Sequence, residues 1–204
     1  MTTLRHRART IAMAAMLLLC AGAKQAHAQD QVELWGSWAS WSGRDAEAMK
    51  SGLALGASYI ADIRWWLDVG GDIGFGRFGF QVDPDRTEDL AEFQTSAVVR
   101  RWLSKRARVQ PFLGARLGYT RLSIDLTDVR LEQNGVLAGP LVGIVIPTGN
   151  RLSPTISFEA LHQNYSDARV FLDGQQIPET NASSWRFVVK AGVTFGSGWK
   201  RKSR

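Results

Sequence analysis

The chain has 204 residues, with 25 Lys or Arg against 19 Asp or Glu, a formal net charge of +6 and one cysteine. Four of the bases (Arg5, Arg7, Arg9, Lys24) fall in the first 28 residues, which carry no acid, and four more (Lys200, Arg201, Lys202, Arg204) close the chain. The basic balance sits largely at the two ends and makes no case for nucleic-acid binding, while a lone Cys20 excludes disulfide frameworks and Cys-rich zinc sites.

Residues 1–28 read as a cleaved secretory signal. A basic start leads into the apolar run Ile11–Cys20, too short to span a bilayer, and Ala26-His27-Ala28 is a small-x-small cleavage site. Cys20 is a poor lipid anchor because Leu19 stands where such signals want a small residue. Residues 29–199 are the predicted folded domain and 200–204 a basic tail. No later apolar run approaches the ~20 residues of a membrane helix.

Beyond the leader, the chain alternates with period two. A first strand is predicted near Val32–Trp41, its facing ambiguous, then a loop over Ser42–Lys50. Leu53, Leu55, Ala57 and Tyr59 mark the second strand, with a turn over Ile60–Arg64. The third places Trp65, Leu67, Val69, Gly71, Ile73 and Phe75 on one face, and Trp66, Asp68, Gly70, Asp72 and Gly74 on the other. After a loop over Arg77–Glu92, the fourth strand runs Phe93 to Leu103, with Arg100 on its polar face. A short turn, Ser104–Arg108, leads to Val109–Tyr119, where Arg116 is among the alternates. A loop over Thr120–Asn134 precedes Val136–Ile146, and the turn Pro147–Arg151 precedes Leu152–Ala160, with Glu159 opposite the apolar face. The longest loop, Ser166–Ser183, leads to a last strand with Trp185, Phe187, Val189, Ala191, Val193 and Phe195 on one side. Arg186, Val188, Lys190, Gly192 and Thr194 take the other.

That makes eight strands joined alternately by short and long connections. Such segregation fits an all-β, eight-stranded antiparallel transmembrane up-and-down barrel, with short periplasmic turns, long external loops and both termini periplasmic. Water and lipid make opposite demands on a barrel wall. A soluble barrel turns apolar side chains inward; in lipid, each charge facing out near the midplane costs a few kcal/mol. Asp68, Asp72, Arg100, Arg116, Glu159, Arg186 and Lys190 share one face, so they are predicted to form a polar network in the lumen. Register arithmetic sets Asp68 opposite Arg100, and Glu159 opposite Lys190 across a loop centred near Gly174. Trp65, Phe75, Phe93, Tyr119, Trp185 and Phe195 cap the apolar stretches and are predicted membrane-interface aromatics. Trp185 to Phe195 is ten residues, about 23 Å in a tilted strand, against a ~25 Å apolar band.

These residues resemble the small OmpA/OmpX-like outer-membrane β-barrel family. Val109-Gln-Pro-Phe-Leu-Gly-Ala-Arg-Leu-Gly-Tyr119 is similar to its recurrent Pro-aromatic, glycine-alternating strand, with Arg116 replacing the middle glycine. Lys190-Ala-Gly192-Val-Thr-Phe195-Gly-Ser197 is similar to the terminal signal read by the barrel-assembly machinery, although Ser197 holds the last aromatic position and Trp199 comes after it. The resemblance implies a bacterial outer-membrane location. The partners it implies are membrane lipid, lipopolysaccharide and the assembly machinery, with an extracellular ligand taken by the loops.

No catalytic residue, cofactor or metal site is predicted. His162 is the one histidine beyond the leader, and its parity turns it toward lipid. An outer-membrane lipid A hydrolase would pair such a histidine with a serine and a carboxylate, whereas the matching position is Asn164. Asp83-Pro84-Asp85 reads as a solvated turn before it reads as a cation site. The leading expectation is a non-enzymatic scaffold whose external loops serve surface interaction or envelope integrity. Leu122, Ile124, Leu126, Val170, Phe171 and Leu172 would extend the third and fourth loops as strands. The alternatives are a narrow conduit for small apolar molecules, which requires a pocket at the external end, and the lipid A hydrolase.

Overall fold

A computed structural model describes residues 31–43, 46–105, 107–125, 129–148, 152–172, 175–178 and 182–196. The predicted signal segment, the basic tail, Leu126, Gly174, Ser197 and Trp199 lie outside the described residues, as do the side chains of Val170, Phe171 and Leu172.

The strands are β1 (Gln31–Ser42), β2 (Met49–Arg64), β3 (Leu67–Asp83), β4 (Arg86–Trp102), β5 (Gln110–Asp125), β6 (Val129–Val145), β7 (Leu152–Leu172), β8 (Gln175–Pro178) and β9 (Ala182–Gly196). Each pairs antiparallel with its chain neighbour through β7, β9 pairs with both β7 and β1, and β6–β7 completes the ring. Eight strands thus close a barrel, while β8 adds a short hairpin to the far end of β7. Closure removes every sheet edge from the wall.

Registers fix the barrel's dimensions. From Val32, partners run through Tyr59, Gly71, Ala97, Leu117, Ala138, His162 and Trp185, and return to β1 at Ser42, ten residues further along. With eight strands ~4.8 Å apart and ~3.3 Å per residue, that stagger tilts the strands by about 41° and gives a radius of about 8 Å. A lumen this narrow is filled by side chains.

Four predicted boundaries move, one of them the predicted loop at 166–183, into which β7 runs as far as Leu172 and which also holds β8. The turn after β2 is Trp65–Trp66, because Ala61 and Asp62 still pair with Val69 and Asp68. Most of the predicted loop at 77–92 is strand: β3 and β4 stay paired up to Gln81↔Thr87 and Asp83↔Arg86, and turn over Pro84 and Asp85. Likewise β5 and β6 remain paired as far as Asp125↔Arg130. The cause is a reversal of faces. Over most of the wall the apolar residues point outward, but past Phe75, Phe93 and Tyr119 the inward positions become apolar: Phe78, Leu90, Leu122 and Ile124 are all buried. A strand that changes its greasy side midway has no single alternating phase, and reads as a loop.

Candidate functional site: the lumen and the outer wall

β1 settles its own facing through its packing. Val32, Leu34 and Trp38 point outward, while Glu33, Trp35 and Ser37 are buried inside. Trp35 can turn inward because Gly56 and Gly74 leave room: a Cβ on either would collide with its indole. Its Nε1 donates to Ser58 Oγ at 3.1 Å, and Lys190 Nζ lies 3.8 Å from its ring centroid. A tryptophan buried with its N–H paired and a cation on its face satisfies both its apolar body and its polar tip.

Mid-lumen, the charges converge on Asp72. Its carboxylate accepts from Arg116 Nη1 at 2.6 Å, Lys190 Nζ at 3.0 Å, Ser58 Oγ at 2.9 Å and Ser96 Oγ at 3.3 Å. Arg116 Nη2 donates to Glu159 at 2.8 Å, and Lys190 stands 3.6 Å from the same carboxylate. Two acids and two bases form one neutral cluster from β3, β5, β7 and β9, tying four strands at one depth.

Nearer the loop-bearing end, Arg186 Nη1 donates to Glu92 at 2.5 Å, Thr120 Oγ1 joins that carboxylate at 2.8 Å, and the guanidinium lies over the rings of Trp41 and Phe78. Toward the short-turn end, Arg100 Nη2 donates to Glu33 at 2.7 Å and lies over Phe112. Lys105 bridges Asp62 and Asp68 at 3.0 and 3.1 Å. Apolar clusters close both ends: Trp102, Phe112, Leu141 and Val145 below, and Phe78, Leu90, Leu122, Ile124, Leu137 and Tyr165 above.

All seven predicted lumen residues are therefore inside, but their partners differ from the arithmetic. Asp68 does face Arg100 across the ladder, yet each ion-pairs elsewhere, because Lys105 and Glu33 reach over the lumen. Glu159 pairs with Val188 and Lys190 with Ser157, two residues from the expected register, so Glu159 and Lys190 meet on a diagonal. Glu33, Glu92, Lys105 and Asp62 join the network without a sequence signal. They fall on the strand of ambiguous facing, in a predicted loop and in predicted turns.

The outer wall is the converse. Leu53, Leu55, Phe75, Leu117, Val136, Val142, Ile156 and Val189 are among its exposed side chains. Five of the six predicted interface aromatics, Phe75, Phe93, Tyr119, Trp185 and Phe195, hold outward strand positions, whereas Trp65, expected on the third strand, falls in the turn after β2. Phe75 and Phe93 contact each other at 5.1 Å between ring centroids, and Tyr119 OH donates to Asn134 Oδ1 at 2.5 Å. Trp65 lies at the short-turn end, 78 % exposed. His162 also faces outward, its ring 5.2 Å from Trp185, and its ladder partners are Ala138 and Trp185.

No protein-family model matches the chain, and no curated protein matches its sequence. Solved structures do. Neisserial surface protein A (NspA) is 17 % identical with a TM-score of 0.57, over 84 % of this chain and 98 % of that one. OprG, an outer-membrane protein from Pseudomonas aeruginosa, is 10 % identical at 0.55, over 84 % and 97 %. The outer-membrane protein AlkL, solved in lipid bilayers, is 12 % identical at 0.55, over 87 % and 93 %. The likeness is one of fold: a closed, eight-stranded antiparallel barrel of the small outer-membrane type.

Proposed function

We propose that this chain is a non-enzymatic outer-membrane scaffold, exported by its predicted leader and displaying the loop-bearing end outside the cell. The observation that carries the reading is the change of faces along the wall. Over the ten residues from Phe195 to Trp185, about 25 Å along the axis at the tilt above, apolar side chains face out and ionised ones face in. Beyond that level Phe78, Leu90, Leu122 and Ile124 are inside, while Arg77, Asp89 and Arg121 are exposed. A wall in contact with one solvent has no reason to reverse; a wall leaving hydrocarbon for water does. The described chain ends, Gln31 and Gly196, pair at the short-turn end, the periplasmic end in this reading. The related folds found in outer-membrane and surface proteins support the same setting.

The scaffold reading is favoured over a conduit by the lumen. Paired charges at mid-depth and an apolar cluster at the loop-bearing end occupy the path a solute would take. It is favoured over a lipid A hydrolase by the surroundings of His162. Its described neighbours on the outer wall include Val136, Ala138, Ala160, Asn164, Ser183, Trp185 and Phe187, and none of these is a carboxylate that could orient the imidazole. Four measurements test this. Refolded protein should show heat-modifiable gel mobility, fractionate with the outer membrane, and add no unitary conductance to a planar bilayer. A stable conductance, or lipid A deacylation abolished by His162→Ala, would contradict it.

A further inference from the structure

Trp65 is the most exposed of the large apolar side chains described, and the belt does not account for it. Phe195, the last aromatic on the apolar face of β9, reaches Tyr59 two strands along the ladder, and β2 then descends from Tyr59 to Arg64. At the tilt above, that puts the Trp65–Trp66 turn about 5 Å beyond Phe195 along the axis. A girdle residue sits level with the edge of the belt; this one stands past it. The charges around the turn have one sign. Arg64, Arg101 and Arg108 are exposed, and none is ion-paired to a described residue. The two acids nearby, Asp62 and Asp68, are both held by Lys105. The other described residues at this end, Gln31, Gly196, Ile146–Thr148 and Leu152, carry no charge; Asp30, Arg106, Arg151 and the bases after Gly196 lie outside the described residues. The loop-bearing end is mixed. Glu47, Asp85 and Asp89 are exposed there beside Lys50, Arg77, Arg86 and Arg121, and Glu88 and Glu132 pair with Arg86 and Arg121. A basic arc is thus confined to one end, running from β2 to β5. Three strand spacings put its ends, Arg64 and Arg108, roughly 14 Å apart. The arc is braced at its centre, where Trp102 N donates to Trp66 O at 2.9 Å and the Arg101 guanidinium lies 5.9 Å from the Trp66 ring centroid.

We infer that this arc is a docking surface for peptidoglycan, with an amino-sugar ring stacked on Trp65 and stem-peptide carboxylates taken by Arg64 and Arg108. The assignment rests on the placement proposed above, which turns this end toward the periplasm and so toward the cell wall. The electron-rich face of an indole takes the C–H groups of a sugar ring, and a guanidinium takes carboxylate oxygens in paired, charge-assisted hydrogen bonds. Phospholipid phosphate of the inner leaflet is the competing anion. It brings no ring to stack on an indole that stands beyond the belt, and one headgroup does not span the arc. A polymer with alternating rings and carboxylates matches both features.

The test sediments the full refolded chain, in neutral micelles, with purified peptidoglycan sacculi, and uses heat-modifiable gel mobility to establish that each variant folds. The unaltered chain should co-sediment. Arg64→Gln combined with Arg108→Gln should weaken binding about tenfold and Trp65→Ala about fivefold. Arg77→Gln, at the opposite end, should leave it within about twofold. Sacculi with amidated carboxylates should bind the unaltered chain no better than native sacculi bind the double variant. Equal binding to amidated sacculi would overturn the assignment, as would unchanged binding by the double variant or by Trp65→Ala. Full displacement from sacculi by phosphatidylglycerol in the micelles would also overturn it and give the arc to lipid. A chain without heat-modifiable mobility removes the membrane placement and the docking surface together; a heat-modifiable barrel that does not sediment with sacculi loses the docking surface alone.

Discussion

Asp72 shows why this lumen is held by charge. Fully enclosed, it takes hydrogen bonds from a guanidinium, an ammonium and two hydroxyls, so its desolvation is met by donors on both oxygens. Asp72→Ala would leave Arg116 and Lys190 to share Glu159 alone. It should destabilise the barrel by about 3–5 kcal/mol, the usual result of orphaning a buried charge, as read by urea unfolding in lipid vesicles. Asp62→Ala is the contrast. Its carboxylate is a quarter exposed and shares Lys105 with Asp68, so the loss should stay below about 1 kcal/mol. Equal effects would mean that the central cluster is not a structural tie. Glycine matters here through the space it leaves. Gly56→Ala or Gly74→Ala would push a methyl into the Trp35 indole and should cost roughly 1–3 kcal/mol, with a changed tryptophan emission to show that Trp35 has moved.

At the scale of the strand, the two faces carry the information, and they explain what can be read from sequence. β9 is legible because Trp185 to Phe195 keeps one phase throughout, and so is the inner half of β3. β1 is not: Trp35 and Trp38 stand on opposite faces, and only the glycines of β2 and β3, distant in sequence, decide which tryptophan goes inside. The outer reaches of β3 to β6 are hidden by the reversal at the edge of the belt. Ion partners are the least legible. Arg100 finds Glu33 across the lumen, 67 positions away, and no two-strand register can reveal a contact over the barrel's diameter. The reversal also locates where substitutions should matter. Val142→Arg, near mid-depth on the outer wall, should cost about 2–4 kcal/mol in a bilayer, whereas Asn164→Arg, beyond the belt, should cost about 0–1 kcal/mol. Unfolding of both variants in vesicles measures the difference. Equal costs would place both positions in water.

For the whole molecule, a ten-residue stagger on eight strands makes a barrel too narrow to hold open water and wide enough for one layer of large side chains from each strand. Opposed acids and bases at three depths then join strands that are not neighbours in the sheet, while the ladder joins those that are. The same arrangement leaves the outer wall free to meet lipid and the loop-bearing end free to vary. The most direct measurement exploits adjacent valines whose side chains point opposite ways. Val99 and Val189 are exposed on the wall, and Val98 and Val188 are buried within it. With valine methyls labelled and the protein in lipid bilayers, magnetisation transfer from acyl chains should reach Val99 and Val189 and leave Val98 and Val188 dark. Transfer to Val98 and Val188, or water contact at Val99 and Val189, would contradict the inside-out barrel.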